Sequence, residues 1–402
     1  DLCTPGFPLR LEDDGATDGV RRPLGSNIVH PCWIWKREPL DGIAGISAAV
    51  GQVPFNFSIG ADASYQADLF GGTRRSIEAA RATEQASGYD LATVQTSIAS
   101  EAARNYILAR QYQAALKIAR DSLAIQDDNL EIAGFRVQAG LVSSLDQEQA
   151  RAQRAQTAAQ IPTIEQNYAA AVNRLGVLTG QAPGALKAEL EAVQPIPMGP
   201  ADIPTGIPGD VLRQRPDVRS AERTLGAATA QIGVEKAALY PALNITGNIG
   251  TSASALGSIA NVITGSLFAG LTQLIFDGGR TRSRVRSQEA AAQGAFAAYK
   301  STVLTSLEDV ENALQALQAA KQRQREFAVA LDASNAAAIL ARSQYRAGLT
   351  DITTLNNSEA ALLSAQNGLN SARGDQAQAM VALYLALGGG WDATKPPELP
   401  QG

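Results

Sequence analysis

Several residue types that proteins use for chemistry are scarce in this chain of 402 residues. It contains one histidine, His30, which excludes most Ser–His, Cys–His and histidine-metal sites. The two cysteines, Cys3 and Cys32, lack the spacing of a metal site, and they could form a disulfide with each other. Aromatic residues make up only 5%, whereas alanine is abundant, which favours closely packed helices over a core of large side chains. We therefore expect no enzyme, no catalytic residue, no cofactor and no metal ion.

Neither a basic excess nor a long apolar run is present. Lys and Arg total 34 against 39 Asp and Glu, so the net charge is −5 and a nucleic-acid partner is not expected. No stretch of 18 or more apolar residues encodes a transmembrane helix. The opening residues do not read as a signal peptide, so a secreted protein is expected here in mature or trimmed form.

Proline is missing from two long segments, residues 55–161 and residues 242–395. Both segments are rich in Ala, Gln, Glu, Arg and Leu, which are good helix formers. A helix from Thr73 to Phe135 would be roughly 90 Å long at 1.5 Å per residue, which is too long for a globular core. Proline is concentrated between residues 183 and 216 and again after Lys395, which predicts an extended connector and a C-terminal tail.

Apolar residues in both segments recur at steps of three or four, as along the seam of a coiled coil. The first series is Ala109, Tyr112, Leu116, Ala119 and Leu123, and the second is Phe296, Tyr299, Val303, Leu307, Val310, Leu314 and Leu317. Periodicity alone leaves a generic coiled-coil scaffold open as an interpretation.

The two segments are copies of each other. QADLFGGTRRS at residues 66–76 matches TQLIFDGGRTRS at 272–283, and FRVQAGLVSSLD at 135–146 matches YRAGLTDITTL at 345–355. Each copy is predicted to contain strand, long helix, glycine turn and second helix, the second helices running over Ser144–Leu178 and Thr353–Leu387. The junction glycines allow the backbone to change direction between strand and helix. They are Gly71, Gly72, Gly278 and Gly279.

An alternating segment precedes each glycine pair. One face of the first carries Phe55, Phe57, Ile59, Ala61, Ala63 and Tyr65; the second offers Leu243, Ile245 and Ile249, then Leu267, Ala269 and Leu271. Alternation over 9–11 residues is the length of a tilted strand that crosses a bilayer, although half-buried soluble strands also alternate. Three or four strands cannot close a barrel, and open edges are not tolerated in lipid. The sheet is therefore expected to close between identical chains.

The stretch LRQRPDVRSAERTLGAATAQIGVEKAALYPALNITGNIG at residues 212–250 resembles the signature of TolC-like outer membrane factors. It is most similar to the NodT-type lipoproteins that partner resistance-nodulation-division (RND) efflux pumps. The junctions at residues 65–82 and 274–285 resemble those of the family as well, and the resemblance covers roughly residues 55–390. It implies a mainly α fold with a β-barrel portion: a homotrimer whose duplicated strand–hairpin repeats form one 12-strand β-barrel and one 12-helix α-barrel.

The resemblance also implies a function. The chain would be the outer-membrane exit duct of a tripartite efflux system, passing small molecules from an inner-membrane RND-type pump and a periplasmic adaptor across the periplasm and the outer membrane. It would contact outer-membrane lipid and bind no nucleic acid. The alternatives are a type I secretion exit duct, and a periplasmic adaptor or coiled-coil scaffold, which would lack the tandem copy.

In the family the helical hairpins end at a periplasmic tip that meets the adaptor and opens like an iris. Carried over by position, the tip and adaptor contacts are Arg136, Gly140, Ser143, Leu145, Asp146, Tyr345, Arg346, Gly348, Thr350 and Asp351. We expect Asp146 and Asp351 to form tip hydrogen bonds or ion pairs, or else to be solvated helix-end residues. Thr353, Thr354 and Asn357 stand in the aperture where relatives often carry an acidic ring, and the nearest carboxylates are Asp351 and Glu359. We therefore expect a less charged ring.

The resemblance divides the chain into five parts. Residues 1–50 do not match the family, and neither its first strand nor its lipid-carrying cysteine motif is recognisable there, so Cys3 is not expected to be the lipid anchor. The predicted parts are residues 1–50 (unassigned), 51–180 (first repeat), 181–210 (equatorial connector), 211–388 (second repeat) and 389–402 (tail).

Overall fold

The computed structural model describes residues 57–199, 214–253 and 261–391. Predictions for residues 1–50, Phe55, the end of the connector and the tail beyond Trp391 lie outside the described residues. So do those for Cys3, His30 and Cys32. The elements are β1 (Phe57–Ala67), α1 (Gly72–Gln138), α2 (Ser144–Leu178), α3 (Lys187–Leu190), α4 (Pro216–Ala237), β2 (Ala242–Ala253), β3 (Ile263–Thr272), α5 (Arg280–Arg346) and α6 (Ile352–Ala386).

The duplication predicted from the sequence is present in the structure. Helices α1 and α5 each contain 67 residues, and α2 and α6 each contain 35. At 1.5 Å per residue, α1 and α5 are each about 100 Å long. The predicted helix bounds agree with these within three residues. No described helix has the length and hydropathy of a membrane-spanning helix.

The three strands form one antiparallel sheet in the order β1-β2-β3. Tyr65 pairs with Ile245, and Ile245 pairs in turn with Ala269, so the predicted apolar face is continuous across the sheet. Ser64 and Thr246 are paired on the opposite face. Among the described residues, β1 and β3 each lack a second neighbour, which leaves two sheet edges unpaired.

The chain divides into two compact units that each draw on both repeats. One contains the three strands with the adjoining helix ends, within residues up to Ala79 and Thr229–Ala291. The other contains the remainder of the long helices, within Ala80–Ala228 and the residues from Ala292 onwards. Strand residues thus group with strand residues, and helical hairpins with helical hairpins.

The helical seam agrees with the first predicted series and in part with the second. Ala109, Leu116 and Ala119 are buried as expected. On α5, Leu317 is buried as expected, whereas Phe296 is 57% exposed and Leu307 is 40% exposed, so these two are not covered within the protomer. The buried seam residues are Ser306, Ala313, Leu317 and Ala320. Small side chains at this seam allow the helices to approach closely, and the larger neighbours are left uncovered.

Candidate functional site

Both hairpins end in the same glycine turn. Gly140 has φ of 69° and Gly348 has φ of 78°, the left-handed region that glycine enters without a Cβ clash. In the first turn, Leu141 N–H donates to the Arg136 carbonyl (2.9 Å) and Gly140 N–H to the Val137 carbonyl (3.0 Å). The second turn repeats both bonds. This pair of hydrogen bonds is the Schellman helix stop, so each turn satisfies the last carbonyls of its long helix.

A polar side chain caps each second helix. The Ser143 hydroxyl accepts from the Leu145 N–H of α2 at 3.2 Å. The Asp351 carboxylate accepts from the Thr354 N–H of α6 at 2.7 Å, and this hydrogen bond lowers the pKa of Asp351. Asp351 is therefore used within its own helix start. Asp146 lies in the first turn of α2, where a negative charge is favourable.

A small buried core lies behind the two turns. It joins all four long helices and consists of Ala133, Ala150, Ala341, Tyr345, Ile352 and Leu355. Tyr345 is fully buried, so in the protomer it supports the tip from inside instead of being displayed to an adaptor. The reason is its position on the seam of α5, one turn before the glycine stop.

Arg136 links the two hairpins. Its guanidinium lies 4.7 Å from the ring centroid of Tyr345, and Nη1 donates to the Tyr345 carbonyl at 3.0 Å. The Tyr345 hydroxyl is buried without a hydrogen-bond partner among the described residues. Burial raises the pKa of Tyr345; Arg136 opposes the shift, and Asp146 adds to it. One arginine of the first hairpin thus holds the end of the second.

Three leucines are exposed on the outer surface of the tip. Leu141 is 70% exposed, Leu145 is 62% exposed and Leu349 is 79% exposed. Arg346 is exposed in the last turn of α5, where a cation is favourable, and Thr350 is half-buried. Sequence reasoning selected Leu145 but missed Leu141 and Leu349. An apolar residue directly after a helix-stopping glycine is the signal that identifies them.

The predicted aperture residues lie on the exposed side of α6. Thr353, Thr354 and Asn357 are exposed, whereas Glu359 is buried and forms a two-point ion pair with Arg342. The exposed residues from 352 to 367 are all uncharged: Thr353, Thr354, Asn357, Ala360, Ala361, Ser364 and Asn367. In the part of the chain that the structure describes, no three His, Cys, Asp or Glu side chains are grouped as metal ligands.

The strand-to-helix junctions use glycine in two ways. Gly71, Gly278 and Gly279 have φ of 82°, 65° and 86°, as a sharp change of direction requires. Gly72 belongs to α1 and lies close to α4, since a Cβ there would be 3.1 Å from the Cβ of Ala237. Its role is close packing.

Aspartates that sequence reasoning missed complete both junctions. The Asp277 carboxylate accepts from the N–H groups of Gly279 and Thr281 and from the Thr281 hydroxyl, at 2.9, 2.7 and 2.6 Å. These bonds, the Thr281 hydroxyl first, lower the pKa of Asp277 to about 2. Asp68 accepts from the Arg74 N–H at 3.0 Å in the first copy. An acidic residue just before a helix start is the signal that was available.

Comparison with known proteins agrees with this architecture. Residues 51–181 and 207–389 match the family model described as outer membrane efflux protein. "Nodulation protein T" of Rhizobium leguminosarum bv. viciae is 31% identical over 329 residues, covering 82% of this chain and 68% of that protein. "Pyoverdine export outer membrane protein OpmQ" of Pseudomonas putida is 31% identical over 345 residues, covering 85% and 72%.

Solved structures show the same fold. The outer-membrane channel OprN superposes with a TM-score of 0.80 at 34% identity, over 84% of this chain and 76% of that one. The open state of the Neisseria gonorrhoeae MtrE outer membrane channel superposes with a TM-score of 0.74 at 26% identity, over 86% and 78%. With duplicated hairpins, an antiparallel sheet and this family match, the chain belongs to the outer membrane efflux protein family of TolC-like channels.

Proposed function

We propose that three copies of this chain form the outer-membrane exit duct of a tripartite efflux pump of the RND type. The observation that carries the proposal is the incomplete sheet, whose continuous apolar face ends at β1 and β3 with both edges unpaired among the described residues. Unpaired backbone groups are too costly in lipid, and pairing with strands of other copies would satisfy these edges. The similarity to the channel OprN supports this arrangement.

The hairpin tip is the proposed contact for the periplasmic adaptor. Leu141, Leu145 and Leu349 present apolar side chains beside the glycine turns, and Arg346 adds a positive charge. Solvent-exposed apolar side chains that cluster in this way mark protein contact surfaces. The division into repeats, connector and tail is part of the same proposal, in which the connector and tail form an equatorial region.

Opening at the tip would move one hairpin against the other. Such a motion would first break the contact between the Arg136 guanidinium and Tyr345, because this contact links the ends of the two hairpins directly. The pump supplies the energy, and the adaptor biases the two positions of the hairpins. The exposed residues of α6 from 352 to 367 would line the aperture. Because they are all uncharged, neutral and charged cargo would pass with little discrimination.

The test is assembly and conductance of the full chain. Purified in detergent, it should behave as three protomers of 42.0 kDa, and after reconstitution it should conduct ions. A monomer that stays in solution without detergent and conducts nothing would overturn the proposal. Coupling to an adaptor is tested separately, by crosslinking from a cysteine placed at Leu349.

A further inference from the structure

The connection between β3 and α5 displays large apolar side chains. In the protomer, Leu274 is 55% exposed, Ile275 is 96% exposed and Phe276 is 88% exposed. They follow the exposed Leu267 and Leu271 of β3, so the apolar surface continues past the end of the strand. A run of this kind needs an apolar environment to cover it.

Four arginines follow directly. Arg280, Arg282, Arg284 and Arg286 all lie in the first seven residues of α5, and all are exposed while Thr281 and Val285 are buried between them. Cations are unfavourable at a helix start, and α5 has no acidic residue in its first turn. Helix stability therefore does not account for this cluster.

Two of the four have neither a charge partner nor a side-chain hydrogen bond among the described residues. Arg280 lies in the field of the Asp277 carboxylate, and Arg286 donates to the Ser283 hydroxyl at 3.3 Å. Arg282 and Arg284 form no ion pair among the described residues. Two guanidinium groups therefore face outward next to the apolar connection.

The junction of the first repeat differs from the second because its arginines are paired. Its junction also places two arginines at the helix start, but Arg74 pairs with Asp68 at 3.3 Å and Arg75 with Glu78 at 2.6 Å. The first junction is thus neutralised by its own carboxylates. Only the second combines unpaired guanidinium groups with fully exposed apolar side chains.

We propose that the second junction binds anionic phospholipid at the membrane surface. Ile275 and Phe276 enter the acyl region, and Arg282 and Arg284 bind the phosphate groups above it. Along the chain, the order is apolar strand, aromatic residue, then cations, which matches the order of layers at a bilayer surface. Charge complementarity favours an anionic headgroup over a zwitterionic one. This inference rests on the proposed function, because the strands must lie in a membrane for the junction to reach its surface.

The experiment uses a fluorescent reporter at the junction of the full-length protein. A Phe276→Trp variant is reconstituted into vesicles of phosphatidylcholine mixed with phosphatidylglycerol, and one of the two lipids is brominated at a time. Bromine quenches tryptophan only at close range, and the parent protein supplies the background of its own three tryptophans. We expect stronger quenching by brominated phosphatidylglycerol than by brominated phosphatidylcholine at equal mole fraction.

Arg282→Gln with Arg284→Gln, in the reporter background, tests the charge. Each guanidinium near an anionic surface is worth about a fivefold change in lipid association, so the double variant should lose most of the preference. Arg74→Gln is the matched control: its charge is already paired, and the preference should stay within about twofold. Retention of the trimer shows that each variant is folded.

Equal quenching by both lipids in the reporter protein, or an unchanged preference in the double variant, would overturn the charge assignment. If neither brominated lipid quenched the reporter, the proposal that this junction contacts lipid would be overturned. Conductance of the same vesicles separates these results from the proposed function: a conducting channel without lipid preference contradicts only this inference, whereas vesicles that do not conduct contradict the duct itself.

Discussion

At the residue scale, the tip depends on one arginine between two hairpins. Replacing Arg136 with Gln removes the stacking on Tyr345 and the hydrogen bond to its carbonyl, a loss of about 1–2 kcal/mol for a half-buried arginine on a buried ring. We expect the hairpin ends to separate more readily and single-channel conductance to rise. Arg346→Gln is the control, since that side chain is exposed one residue past Tyr345. Equal conductance of the two variants would contradict a latch role for Arg136.

Asp277 predicts a pH dependence with a definite sign. Its pKa in the folded protein is about 2, below the ordinary 3.8, so its stabilising effect is complete above about pH 5 and is lost as the pH falls from about 4 to 2. Asp277→Asn keeps an oxygen acceptor but cannot titrate. The difference in melting temperature between the parent and this variant should be constant near neutral pH and should shrink in acid. A constant difference down to pH 2 would show that the carboxylate charge is not stabilising.

Single residues were the least predictable level. The two glycine stops were identified from the sequence because each repeat places glycine at the end of a long helix-forming run. Of the two junction aspartates that were missed, Asp68 gave the weaker signal, because it lies six residues before the Arg74 N–H that it accepts from, too far for a standard capping pattern. Glu359 was noted only as a nearby carboxylate, since nothing in the sequence shows that Arg342 binds it from another helix.

At the element scale, the turns determine where the hairpins end. Gly140→Ala and Gly348→Ala each force a side chain into the left-handed region, at a cost of about 1–2 kcal/mol. We expect each variant to lower the melting temperature. The chain provides a matched control in Gly294, which is inside α5 with open space around its Cβ position, so Gly294→Ala should stabilise by up to about 1 kcal/mol. A similar loss in all three variants would show that backbone conformation is not the cause.

Elements were predicted well because their signals are long. Segments of 67 residues without proline are readily identified as helices. Because the chain contains two copies, each helix end is predicted from two sequences. The second seam was predicted less well. Leu307 and Phe296 fit the apolar spacing, but burial in the protomer followed Ser306 and Ala313 instead, since close helix packing selects small side chains. Large residues left exposed on α5 are then available for contacts between copies.

At the scale of the whole molecule, the sheet is the part that the described strands leave open. Its two edges are unpaired within the described residues, while its apolar face is continuous from β1 to β3. The sequence alone indicated this shortage of strands, but which copy meets which edge depends on other chains. The family match and the fold of OprN agree with a barrel shared between protomers.

Opposite faces of β3 give the sharpest test of that barrel. Leu267 is 81% exposed on the apolar face at the middle of the strand, and Ser266, its neighbour in the chain, points to the polar face beside Asn248. An arginine facing lipid near the bilayer centre costs about 2–4 kcal/mol, whereas one facing water costs little. Leu267→Arg should therefore reduce the yield of inserted trimer. Ser266→Arg should insert normally and alter ion selectivity, measured as the reversal potential in a salt gradient. If both variants inserted equally well, Leu267 would not face lipid, and the barrel would have to close with another orientation of its strands.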